Sequence, residues 1–166
     1  MQAKHHGQSG LSSFSLCGIV PYRITQGEIG MSVTTILPVT IGDINYGNHM
    51  GNDRFLAFFH EARLAFLREI QASELSIGQG IGLIMTEAAV RYLSQVVHGD
   101  ILEVLVCVME VKKTSFVLQY KAIRQQDGCQ VAVGTTTLCA FDYTSMKIAR
   151  LPEPFRQSLL DQMTTN

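Results

Sequence analysis

From Asn52 to about Gln71, apolar residues Phe55, Leu56, Phe59, Ala62, Phe66 and Ile70 recur at steps of three and four, the period of an α-helix. Phe58, Leu64 and Leu67 widen that stripe until it runs nearly all round, so this helix is predicted to lie inside a core. Beyond the Gly-rich connection "SIGQGIG" the pattern changes. "LIMTEAAVRYLSQV", "DILEVLVCVMEV", "TSFVLQYKAIRQQ" and "CQVAVGTTTLCAFDY" are strand-like runs separated by Gly99-Asp100, Lys112-Lys113 and Asp127-Gly128. Asp-Gly between two such runs signals a hairpin, and the short connections leave no room for crossover helices, so antiparallel strands are expected. Upstream, "MSVTTILPVT" from Met31 to Thr40 suits another strand, which Pro38 ends or bulges. "LPEPFRQSLLDQM" reads as a short helix started by proline.

The order is strand, polar loop, long apolar helix, then four antiparallel strands. It predicts an α+β fold in which a curved antiparallel β-sheet of about five strands wraps a long central helix. Such a sheet leaves an edge strand uncovered, and side-by-side association of copies that continues the sheet is the natural remedy. The start, "MQAKHHGQSGLSSFSLCGIV", is rich in Gly, Ser and Gln. We therefore divide the chain into a flexible extension over 1–20, which carries His5 and His6, and one domain over 21–166.

Composition narrows the partners. A chain of 166 residues that is 46% hydrophobic can build one sizeable core, and a formal charge of -1 with no basic block argues against nucleic acid or an acidic membrane surface. Cys17, Cys107, Cys129 and Cys139 show neither CxxC spacing nor a His partner at metal-ligand distance, and are read as reduced core thiols. No apolar run reaches the roughly 20 residues that span a bilayer. A cytoplasmic location is the default expectation.

The remaining signal is the loop "DINYGNHMGND", Asp43 to Asp53, set directly against the helix. Capping by Asn52 or Asp53 and glycine turns explain part of its polarity, but not Asp43 or His49. The loop, followed by "RFLAFFHEAR", resembles that of the hotdog-fold acyl-CoA thioesterases of the 4-hydroxybenzoyl-CoA thioesterase-like group, whose loop reads approximately D-x-D-x-x-G-H-V-N-N and runs into a helix ending E-x-A-R. The resemblance covers roughly Met31 to Leu160. It implies the hotdog fold and hydrolysis of acyl-CoA thioesters without metal or other cofactor. It also implies a homodimer or homotetramer built from sheets joined edge to edge, with sites at the subunit interface near the helix start.

The chain departs from that pattern where it matters. The second acid of D-x-D is Asn45, which cannot act as base or carboxylate nucleophile, and Asn48 stands where glycine precedes the family's histidine. Asp43 and Glu61 remain as candidate catalytic acids. The bland alternatives are an Asx turn for Asp43 and an ion pair near Arg63 or Arg91 for Glu61. His49 is a candidate to bond the acyl carbonyl, orient the carboxylate or water, or hold the loop, while Asn45 is a candidate to orient water or carbonyl. Amides near Gly51 and Asn52 would polarise the carbonyl at the positive end of the helix, and glycine there permits close approach. Tyr46 and Met50 are candidate linings of the acyl slot, and Arg91, Lys112, Lys113 and Arg124 candidate contacts for CoA phosphates. Two other functions are compatible: a module that binds acyl-CoA or another apolar carboxylate without turnover, and an enoyl-thioester hydratase.

Overall fold

The computed structural model describes residues 33–164. Strand β1 (Val33–Pro38) leads through a 3-10 turn (Ile41–Asp43) and the polar loop into helix α1 (Asn52–Glu69). Four long strands follow: β2 (Gly82–Tyr92), β3 (Ile101–Val111), β4 (Ser115–Arg124) and β5 (Gln130–Asp142). The two-residue strand β6 (Lys147–Ile148) and helix α2 (Glu153–Thr164) complete the described chain. The proposed extension over 1–20, with His5, His6 and Cys17, and the first two residues of the predicted first strand lie outside the described residues.

All strand pairings are antiparallel, in the order β1-β3-β4-β5-β2, with β6 attached to β5. Asp127-Gly128 makes the β4–β5 hairpin as the sequence indicated, with Gly128 at φ 67°, a left-handed value that glycine adopts without a steric penalty. Register irregularities fall at Met85/Glu87, Val108/Glu110 and Ala122/Ile123, and bends of this kind add twist and curl a sheet. This is the hotdog architecture: one curved sheet and one long helix.

Alternation sets the core. On β3 residues Leu102, Val104, Val106 and Val108 point inward, on β4 Phe116, Leu118, Tyr120 and Ala122 do, and α1 lowers Phe55, Phe59, Ala62 and Phe66 onto them. Phe59 stacks on Tyr120 with ring centroids 4.7 Å apart. Gly134 of β5 makes that approach possible, since a Cβ there would come within 2.4 Å of the Phe59 ring. Helix α2 lies against β3, and its Phe155 meets Phe116 edge-on at 5.7 Å.

Two expectations need adjustment. Within one chain α1 is not enclosed on every face: Leu56, His60 and Glu61 are exposed, because the sheet curls past only one flank of the helix. Strand β2 explains why. It ends at Tyr92 instead of continuing to Val96, and from Met85 onward most of it is exposed. Nor are all the described cysteines core residues: Cys129 packs against the core, but Cys107 and Cys139 do not. All three are free and half-buried; the alternation of β3 and β5 turns Cys107 and Cys139 to the face opposite α1. Among the described residues no helix is long and apolar enough to cross a membrane.

Candidate functional site

The polar loop is a compact clasp at the start of α1. Asp43 is buried, and its Oδ2 accepts hydrogen bonds from the Thr40 N–H (2.8 Å) and hydroxyl (2.6 Å). Its Oδ1 accepts from Arg54 Nε (2.8 Å) and pairs with Nη2 (2.7 Å). Burial alone would push the Asp43 pKa up, but the Thr40 and Arg54 donors outweigh it and hold the carboxyl below its ordinary value. A carboxylate with four donors on its lone pairs is a strut, poorly placed to take a proton from water.

Asn45 and His49 are brought together. An amide nitrogen can only donate, so Asn45 Nδ2 donates to His49 Nε2 (3.2 Å), which leaves the ring proton on Nδ1 to bond the Gly47 carbonyl (3.0 Å). Asn45 Oδ1 accepts the Gly47 N–H (2.8 Å), and the Asn45 N–H reaches the His49 carbonyl (2.9 Å). Both histidine nitrogens are therefore committed to the turn itself. Met50 is buried in the core with its N–H on the Val96 carbonyl, whereas Tyr46 projects fully into solvent.

What the clasp presents outward is the helix start. The Gly51 N–H is taken by the Asp43 carbonyl (2.9 Å), and Gly51 caps the helix through its own carbonyl, bonded by Arg54 N–H (3.0 Å). Among the described residues the N–H groups of Asn52 and Asp53 have no acceptor, so they carry the positive end of the helix dipole unopposed by an internal bond. A ligand oxygen could be held there.

One turn further on, the exposed flank of α1 and the sheet enclose a cavity of about 220 Å³. Leu56, Ala57, His60 and Arg63 line it from the helix, Met85 from β2 and Thr136 from β5. Its walls are mainly apolar. Its depth is polar: Arg63, a buried guanidinium, donates through Nε to Glu74 Oε1 (2.7 Å), and the other Glu74 oxygen bonds His60 Nε2 (3.0 Å). Behind Arg63 the buried Tyr120 hydroxyl pairs with Thr136 Oγ1 at 2.8 Å. Burial would raise the Glu74 pKa, yet Arg63 and His60 hold it below its ordinary value; burial also lifts the Tyr120 phenol, which stays protonated at neutral pH.

Glu61, the second candidate acid, is exposed on α1 and does not line this cavity. Of the four cations considered for CoA phosphates, Arg124 is held by Asp127 and Asp100, and Lys112 pairs with Glu110 at 3.2 Å. Arg91 and Lys113 are exposed and have no ion pair among the described residues. Sequence reading missed His60, Glu74 and Thr136. The available signal was a charge on the apolar face: Arg63 follows Phe59 and Ala62 into the core, and a buried guanidinium requires an acidic partner.

Fold and family agree. Residues 39–159 match the thioesterase-like superfamily, and the chain belongs to it. No curated protein matches the sequence. Among solved structures, it resembles a 1,4-dihydroxy-2-naphthoyl-CoA thioesterase from Synechocystis at 21% identity and TM-score 0.71, over 79% of this chain and 97% of that one. A Staphylococcus aureus protein solved in complex with CoA is similar at 18% identity and TM-score 0.75, over 83% and 87% of the two chains. A gentisyl-coenzyme A thioesterase follows at 20% identity and TM-score 0.68, over 76% and 98%. At such identities these likenesses speak for the fold.

Proposed function

We propose that this chain hydrolyses acyl-CoA thioesters to the free acid and CoA, working as a homodimer. The observation that carries the reading is a pair of unbonded helix-start amides beside an apolar-walled cavity, in a chain of this superfamily. The thioester carbonyl oxygen sits on the Asn52 and Asp53 amides, which stabilise the charge that grows on it during attack by water. The acyl group lies in the cavity, and the pantetheine arm leaves toward solvent. Asp43, Asn45 and His49 serve indirectly, by fixing the turn that aims those amides.

The support for a dimer comes from β2. Its outer edge has no partner strand among the described residues, and Met85, Tyr92 and Leu93 beside it are exposed apolar side chains. Two copies joined edge to edge across β2 by a two-fold axis continue the sheet and lay their α1 helices side by side in opposite directions. That arrangement covers the flank of α1 left bare in one chain.

The test is release of free CoA from a panel of short, medium and aromatic acyl-CoAs. Rates above buffer for at least one ester are expected; buffer rates across the panel would end the hydrolase reading. A second reading, acyl-CoA binding without turnover, draws support from Asn45 standing where the family carries an acid and from the saturation of Asp43. Thermal stabilisation by acyl-CoA with no CoA released would favour it.

A further inference from the structure

Hydrolysis needs a group that takes a proton from water, and the acids suggested by sequence do not face the cavity: Asp43 is saturated and Glu61 is outside the lining. The cavity instead displays an imidazole. His60 lines it, and Glu74 bonds its Nε2 at 3.0 Å. A carboxylate only accepts, so Nε2 carries the ring proton and the Nδ1 lone pair is left unbonded among the described residues. Glu74 is itself fixed, through Oε1 by the buried Arg63 at 2.7 Å and through its backbone carbonyl by the Leu83 N–H at 2.7 Å. A histidine oriented by a carboxylate that a buried cation holds in place is built as a base of set tautomer.

Resting on the hydrolase reading above, we infer that His60 is the general base, with Glu74 as its positioning residue, and that it acts on a thioester held by the helix start of the paired copy. Eight residues separate Asn52 from His60, about 12 Å of helix axis at 1.5 Å per residue. One chain therefore cannot apply its own helix-start amides and its own His60 to a single carbonyl. Antiparallel α1 helices related by a two-fold near Leu56, exposed midway between those residues, set the amides of one copy opposite His60 of the other.

In the step itself, His60 Nδ1 takes a proton as the water oxygen bonds to the acyl carbon, and the carbonyl electrons move to the amide-bound oxygen. The tetrahedral adduct collapses as the C–S bond breaks, and the proton passes from Nδ1 to the departing sulfur. Acid and CoA thiol are released, with no redox change.

The test uses the full chain and the acyl-CoA ester that wild type turns over fastest. His60→Ala is expected to lose about a hundredfold or more in kcat and to regain part of it on addition of free imidazole. Glu74→Gln is expected to lower kcat while leaving KM in place. An equimolar, re-associated mixture of His60→Ala with Gly51→Val, whose side chain blocks the helix start, is expected to recover about a quarter of wild-type activity, because about half of the dimers are mixed and each of these has one intact site of two. Full activity in His60→Ala, or loss in Glu61→Gln with His60→Ala intact, overturns the assignment and leaves the hydrolase reading standing. A fold-preserving His60→Ala with no imidazole response also overturns it, and a wild type inert on every ester removes both.

Discussion

At the scale of single residues, the loop places chemistry-bearing side chains in supporting roles. Asp43 illustrates the energetics. Its folded-state pKa lies below the ordinary 3.8, so the fold favours the charged form. That stability is complete above the unfolded value and disappears as pH falls through the folded one. Asp43→Asn should therefore cost about 1–2 kcal/mol at neutral pH. In urea unfolding followed at several pH values, the gap to wild type should narrow below about pH 4. A gap that stays constant into acid would show that shape, not charge, is what the position supplies. The pair of Asn45 and His49 follows the same logic: each atom that could meet substrate already meets the turn.

Among elements, helix and sheet meet through one small residue. Gly134 has no left-handed dihedral to satisfy; its role is space, since a side-chain carbon would collide with Phe59 and stand 2.9 Å from the Ala89 carbonyl. Gly134→Ala should lift α1 from the sheet and cost about 1–3 kcal/mol in chemical denaturation, with the Phe59–Tyr120 stack disturbed. An unchanged midpoint would mean the helix can shift at little cost. The long helix and the run of β-branched strands were readable from periodicity because each has its own period, 3.6 and 2, and neither depends on distant partners. The end of β2 and the two-residue β6 were not readable, because pairing rather than composition decides them.

For the molecule as a whole, the half-covered helix and bare β2 edge argue for a second copy. Ala88, exposed in the middle of β2, is a sensitive probe: Ala88→Lys sets a charge on the proposed seam and should shift dimer to monomer in sedimentation, with activity falling in parallel. A variant that remains dimeric and active would place the contact on another face.

The sequence by itself determined the element order, the antiparallel hairpins and the clasp-like loop, because these rest on local periodicity and turn chemistry. It could not rank the acids, because that ranking depends on which lone pairs are already occupied. Thr40 and Arg54 saturate Asp43, and Glu74, brought from the loop after α1, meets His60 and Arg63 only once the chain has folded. Hydrogen bonds between residues eleven and fourteen positions apart leave no mark on a linear pattern, and only the packed structure decides which side chain keeps a free lone pair.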